Sequence, residues 1–121
     1  MSESDAQSLI EQYEQAAIRH GNATSTQAAN TAAEKIASIY RTLHEQDVRA
    51  MLLPLLGSPE PSVQSWAASH ILEFSPDAAI PVLEGLANGP PGAVRADASM
   101  TLREWRAERR RAASADDAVG R

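Results

Sequence analysis

The sequence predicts an all-α fold, a short right-handed helical-repeat solenoid of about six helices. Three observations carry that reading. Apolar residues recur at helical spacing along nearly the whole chain. The core alphabet is Ala, Leu, Ile and Val, with only one Phe, two Tyr and two Trp among 121 residues, which suits closely packed helices better than a β-sandwich. A leucine-proline hairpin occurs twice: Ala79-Ile80-Pro81-Val82-Leu83 repeats Leu52-Leu53-Pro54-Leu55-Leu56 at an offset of about 27 residues.

The elements follow in order. Ser4 and Gln7 fit a capping box opening a first helix, whose stripe is Ala6, Leu9, Ile10, Tyr13, Ala16, Ala17 and His20, with Gly21 as its C-cap. His20 then sits in the last turn, where the helix dipole favours a partly cationic ring. A second helix runs from Thr24 or Ser25 to about Glu45 and buries Ala29, Ala32, Ala33, Ile36, Ala37, Tyr40 and Leu43. Val48, Met51, Leu52, Leu55 and Leu56 form the inner face of a short third helix, bent or late to start because Pro54 removes a backbone donor. Gly57 to Glu60 make a turn, and Pro61 suits the first position of a fourth helix with stripe Val63, Ala67, His70, Ile71 and Phe74. Ser75-Pro76-Asp77 ends it and primes the fifth. The sixth repeats the fourth: Val94, Ala98, Ser99 and Leu102 match Val63, Ala67, Ala68 and Ile71 at an offset of about 31, the difference absorbed by Asn88-Gly89-Pro90-Pro91-Gly92. One helical domain over residues 1–111 is expected, with 112–121 lacking an apolar stripe and reading as a disordered tail.

Composition narrows the function classes. Zero cysteines exclude disulfides and Cys-based metal or nucleophile sites. No apolar run approaches the ~18 residues of a membrane helix, and Met1-Ser2-Glu3-Ser4-Asp5 is acidic, unlike a signal peptide; a cytoplasmic protein without membrane contact is expected. The net charge is −5, unevenly spread: no Lys or Arg lies between Arg49 and Arg95, while Arg103, Arg106, Arg109, Arg110 and Arg111 bunch near the end.

Tyr40-Arg41-Thr42-Leu43, the leucine-proline hairpin, Ser65-Trp66-Ala67-Ala68-Ser69-His70 and Met100-Thr101-Leu102-Arg103-Glu104-Trp105-Arg106 together resemble the bacterial domain-of-unknown-function family numbered two thousand and nineteen, over about residues 9–108. The most specific part is Leu102-Arg103-Glu104-Trp105-Arg106. The resemblance implies a HEAT-like α-α superhelix and brings no established activity, cofactor or catalytic residue. Ala93-Val94-Arg95-Ala96-Asp97 is more polar than that pattern.

No catalytic constellation assembles. His44-Glu45 lacks the second histidine of a zinc-protease motif, since position 48 is Val48. Gly85, Gly89 and Gly92 lack the Lys-Ser or Lys-Thr of a phosphate loop, and no nucleophile elbow is present. The protein reads as a non-enzyme with no cofactor and no metal. The candidate partner-binding strip is Trp66, His70 and Glu73 on one flank of the fourth helix with Asp97, Thr101 and Glu104 on the matching flank of the sixth. Such a strip is acidic with an aromatic anchor, and suits a basic protein partner that the module would bind and neutralise. Trp66 equally suits packing between repeats, His70 suits that packing better than a surface role, and Trp105, aligned with Phe74, reads as core. Two alternatives stand beside this. Self-association as a homo-oligomer would use the open solenoid ends and Ile18, which lies off the first stripe. Nucleic-acid binding through the edge Arg95, Arg103, Arg106 and Arg110 ranks last, because the chain is acidic and that edge lacks interleaved aromatics apart from Trp105.

Overall fold

A computed structural model describes residues 1–119 of the chain, and side-chain surroundings for residues 1–115. It holds five α-helices, α1 (Glu3–Asn22), α2 (Thr26–Glu45), α3 (Pro61–Ile71), α4 (Pro76–Ala87) and α5 (Ala93–Val119), plus a 3₁₀ helix at Arg49–Gly57 between α2 and α3. Among the described residues there is no strand. The all-α repeat architecture is therefore as the sequence predicts. Pairing runs α1 with α2, the 3₁₀ helix with α3, and α4 with α5; α3 also touches α1, α4 and α5, so it is the centre of the stack.

Local chemistry explains the boundaries. The N-cap of α1 is Ser2 rather than Ser4: its hydroxyl accepts the Asp5 N–H at 3.1 Å, which brings Glu3 and Asp5 into the first turn at the positive end of the dipole. Ser25 caps α2 in the same way, accepting from Ala28 N–H at 3.1 Å. Pro61 opens α3 and Pro76 opens α4, where a missing N–H costs nothing. Pro54 cannot donate to a carbonyl four residues back, and the segment around it winds as the tighter 3₁₀ form, burying Leu52 and Leu55. At the end of α2, Val48 N–H reaches Leu43 O and Asp47 N–H reaches His44 O, a Schellman closure that holds Asp47 at φ 58°, a conformation natural to glycine.

The core is continuous across all six helices, with Tyr13, Ile36, Leu43, Leu52, Val63, Ile71 and Leu83 its largest fully buried side chains. Four details differ from the sequence reading. Gly21 does not end α1, which runs on to Asn22; a Cβ there would lie 2.0 Å from Ser62 Oγ, so the glycine is what lets α1 pass the start of α3. The buried face of α2 is Ala32, Ile36, Ile39 and Leu43, with Ala37 exposed, because Ile39 completes the i, i+4, i+7, i+11 stripe turned toward α1. Ile18 is partly buried against the core and does not form an exposed contact for a second copy. α5 continues as helix to Val119, past Ala112, although every described residue from Glu108 to Ala115 is exposed. Of the tail expected over 112–121, Gly120 and Arg121 lie outside the described residues.

Candidate functional site

The six residues singled out from the sequence separate into two groups. His70 and Glu73 turn toward α1 and α2. The His70 ring stacks on Tyr40 of α2, centroids 3.9 Å apart and planes within 5°. Its Nδ1 lies 2.7 Å from the hydroxyl of Tyr13, which is fully buried on α1. Just past the end of α3, Glu73 accepts the hydroxyl proton of Tyr40 through Oε2, and Arg49 Nη1 donates to the same hydroxyl oxygen at 3.3 Å. The Arg49 guanidinium also lies over the Phe74 ring, 4.9 Å from its centroid. His70 therefore fastens the first helix pair to α3, within a run of rings that continues through Trp66 to His20 on one side and through Tyr40 to His44 on the other.

This enclosure alters the proton affinities. Burial pushes the His70 imidazole down to about 4, with Glu73 pulling weakly the other way. Burial raises the Tyr13 phenol well above the usual range, and burial together with the hydrogen bond to Glu73 raises that of Tyr40. At neutral pH His70 is an uncharged hydrogen-bonding partner for Tyr13.

Trp66 and Asp97 form the second group. They line one cleft of about 540 Å³, walled by His20 and Gly21 of α1, Pro61 of α3, Gly85 and Leu86 of α4 and the 89–92 turn. Trp66 is half-buried, its indole held edge-on by His20 with centroids 5.1 Å apart and planes at 86°. Asp97 and Glu104 are exposed on α5 and Thr101 is half-buried; neither Thr101 nor Glu104 lines the cleft. Phe74 and Trp105 both pack against the core, as expected, with the Arg109 guanidinium 5.2 Å from the Trp105 ring centroid.

The arginine edge is partly engaged inside the molecule. Arg106 pairs with Glu84 at 3.5 Å, and Arg103, Arg106 and Arg110 border a shallow groove of about 290 Å³ beside Leu102. Among the described residues no three His, Asp or Glu side chains come together as a metal donor set, and no helix is long and apolar enough to cross a membrane.

The model of HEAT repeats matches residues 10–103, which span both leucine-proline hairpins and the helix pair before them. The chain belongs to the HEAT-repeat family. No curated protein and no solved structure gives a significant match. HEAT repeats commonly act as protein-interaction scaffolds rather than enzymes, and the paired helices stacked on α3 are that architecture in a short form.

Tyr13, Tyr40, Arg49 and the turn at 89–92 belong to these sites and were not singled out by sequence reasoning. Tyr13 and His70 stand 57 positions apart, and no local spacing signals such a pair. The two glycines inside helices, Gly21 and Gly85, were the available signals, since glycine weakens a helix and calls for a reason.

Proposed function

We propose that this HEAT-repeat protein is a cytoplasmic interaction module that binds, and thereby neutralises, a basic protein partner along the edge shared by α3 and α5. The observation that carries the reading is that Trp66 and Asp97 line one cleft, with Glu104 exposed two turns further along α5. A half-buried indole is a good anchor because part of a large apolar surface remains for a partner to cover. Carboxylates beside it raise the encounter rate with a cationic partner and penalise acidic ones. Within the HEAT-repeat family, Leu102-Arg103-Glu104-Trp105-Arg106 supports placement in the small bacterial group that the sequence resembles.

Affinity capture from native lysate tests this, comparing the wild type with Trp66→Ala/Glu104→Arg. A basic protein retained by the wild type and lost by the variant, at unchanged helix content, is the expected result. Equal capture by both removes the edge from consideration. Self-association is favoured by one observation, the exposure of Met100 on α5. Light scattering across concentrations separates it from partner binding, since a constant monomer mass excludes it.

A further inference from the structure

Gly85 lies inside α4, where alanine would form a more stable helix. No packing within the protein calls for glycine there: a Cβ at position 85 would meet nothing within 4 Å, in contrast to Gly21, where Ser62 leaves no room. Gly85 itself lines the cleft, and the place of its missing side chain is open space. The remaining walls are mainly apolar, with His20, Ser62, Ser65 and Arg95 among their polar groups. Pro61, Pro90 and Pro91 offer rings and no N–H, and Trp66 is held edge-on by His20. The cleft is thus a preformed socket with a mainly apolar lining, beside a residue that weakens its own helix and leaves the space open.

Charge sets what can lie next to it. The α3 and α4 walls fall within the stretch between Arg49 and Arg95 that has no Lys or Arg. Asp97 lines the cleft, Glu104 is exposed on the same flank of α5, and neither makes an ion pair among the described residues. Arg95 borders the same cleft, about 160° around the helix from Asp97, so the cleft carries one cation and one carboxylate, whereas the Asp97–Glu104 line along α5 carries carboxylates and no cation. Seven residues of helix place Asp97 and Glu104 about 10 Å apart along the axis, close to one turn of a polyproline II segment, which carries residues i and i+3 on one face about 9 Å apart.

We propose that the cleft takes one bulky apolar side chain of a partner segment in the polyproline II conformation, whose two cationic side chains, three residues apart and so on one face, pair with Asp97 and Glu104. This rests on the partner-binding reading above and adds the chemistry of the segment recognised: an aromatic or branched aliphatic residue followed by Lys or Arg, two intervening residues, and a second Lys or Arg.

The test is fluorescence anisotropy with the full-length protein and fluorescein-labelled peptides containing Phe-Lys-Gly-Ser-Lys. Control peptides carry Ser in place of Phe, or Glu in place of both Lys. The expected result is saturable, salt-weakened binding of the first peptide alone, reduced at least tenfold by Gly85→Leu, which plugs the socket. Asp97→Lys does the same and shifts preference to the Glu-bearing peptide, a reversal that does not depend on Gly85→Leu folding. Equal binding of the acidic peptide to the wild type, unchanged binding by a folded Gly85→Leu, or no binding at millimolar peptide each overturns the proposal. Lysate capture tells this failure from that of the broader reading. Capture lost by Trp66→Ala/Glu104→Arg yet kept by folded Gly85→Leu refutes the socket and leaves the interaction module standing.

Discussion

Acidification is expected to loosen the joint between the first helix pair and α3, and His70 sets the size of the effect. The perturbation is protonation of a ring stacked on Tyr40 and hydrogen-bonded to Tyr13. Its folded value of about 4 lies below the ordinary histidine value of 6.5, so the folded state favours the neutral ring. The sign follows. Above pH 6.5 the ring is neutral folded or unfolded and costs nothing; below it the unfolded chain takes up a proton that the folded one refuses. Stability is therefore lost as pH falls from 6.5 toward 4 and levels off below that. A separation of about 2.5 units corresponds to about 3 kcal/mol by pH 4, a large share of the 5–15 kcal/mol typical of a small domain. Carboxylates titrate in the same range, so the assay is a difference: urea unfolding of wild type and His70→Asn between pH 7.5 and 4. Asparagine keeps a hydrogen-bonding group near Tyr13 and does not titrate. The wild type is expected to lose about 3 kcal/mol more than the variant over that span. A difference that stays constant with pH refutes the argument.

Three further outcomes follow from local geometry. Asp47→Gly is expected to stabilise the protein by about 0.5–1 kcal/mol, because Asp47 closes α2 at positive φ; urea midpoints read it, and a loss of stability would mean the Asp47 side chain contributes more than its backbone costs. Gly21→Ala is expected to cost about 1–3 kcal/mol by forcing α1 from α3, and Ser62→Gly in the same chain should restore most of it, since both close approaches, 2.0 and 2.8 Å, are to Ser62. Deleting residues 112–121 is expected to leave the Tm within about 2 °C of wild type, because the described residues beyond Glu108 are exposed; a larger fall would show that the end of α5 packs against the domain.

Much of the fold was legible because its signals are local. Ser25 as a cap, Pro61 and Pro76 as first-turn residues, and alanine-leucine stripes at helical spacing each act within one or two turns. Even so, local signals misplace what two patterns satisfy equally: Ser2 with Asp5 and Ser4 with Gln7 both resemble a cap, and the pair that gains two acidic residues in the first turn is the one used. The site was legible in part. Helical spacing put Trp66, His70 and Glu73 on one edge, but only the packing of α1 and α2 on α3 decides which way that edge is spent. Tyr13 and Tyr40 enclose His70, while Trp66 is left at the rim of a cleft made by α1, α3, α4 and the 89–92 turn. That division depends on contacts between distant segments, which no periodicity within a helix encodes.

Whether partners bind at the α3–α5 edge is read by chemical-shift mapping. Backbone amide and indole N–H signals of isotopically labelled protein would be followed while the captured partner is added. Binding at this edge gives shifts concentrated at the Trp66 indole, Gly85, Asp97 and Glu104. Shifts confined to the edge of Arg103, Arg106 and Arg110, or to the outer face of α1, would place binding elsewhere and overturn the α3–α5 assignment.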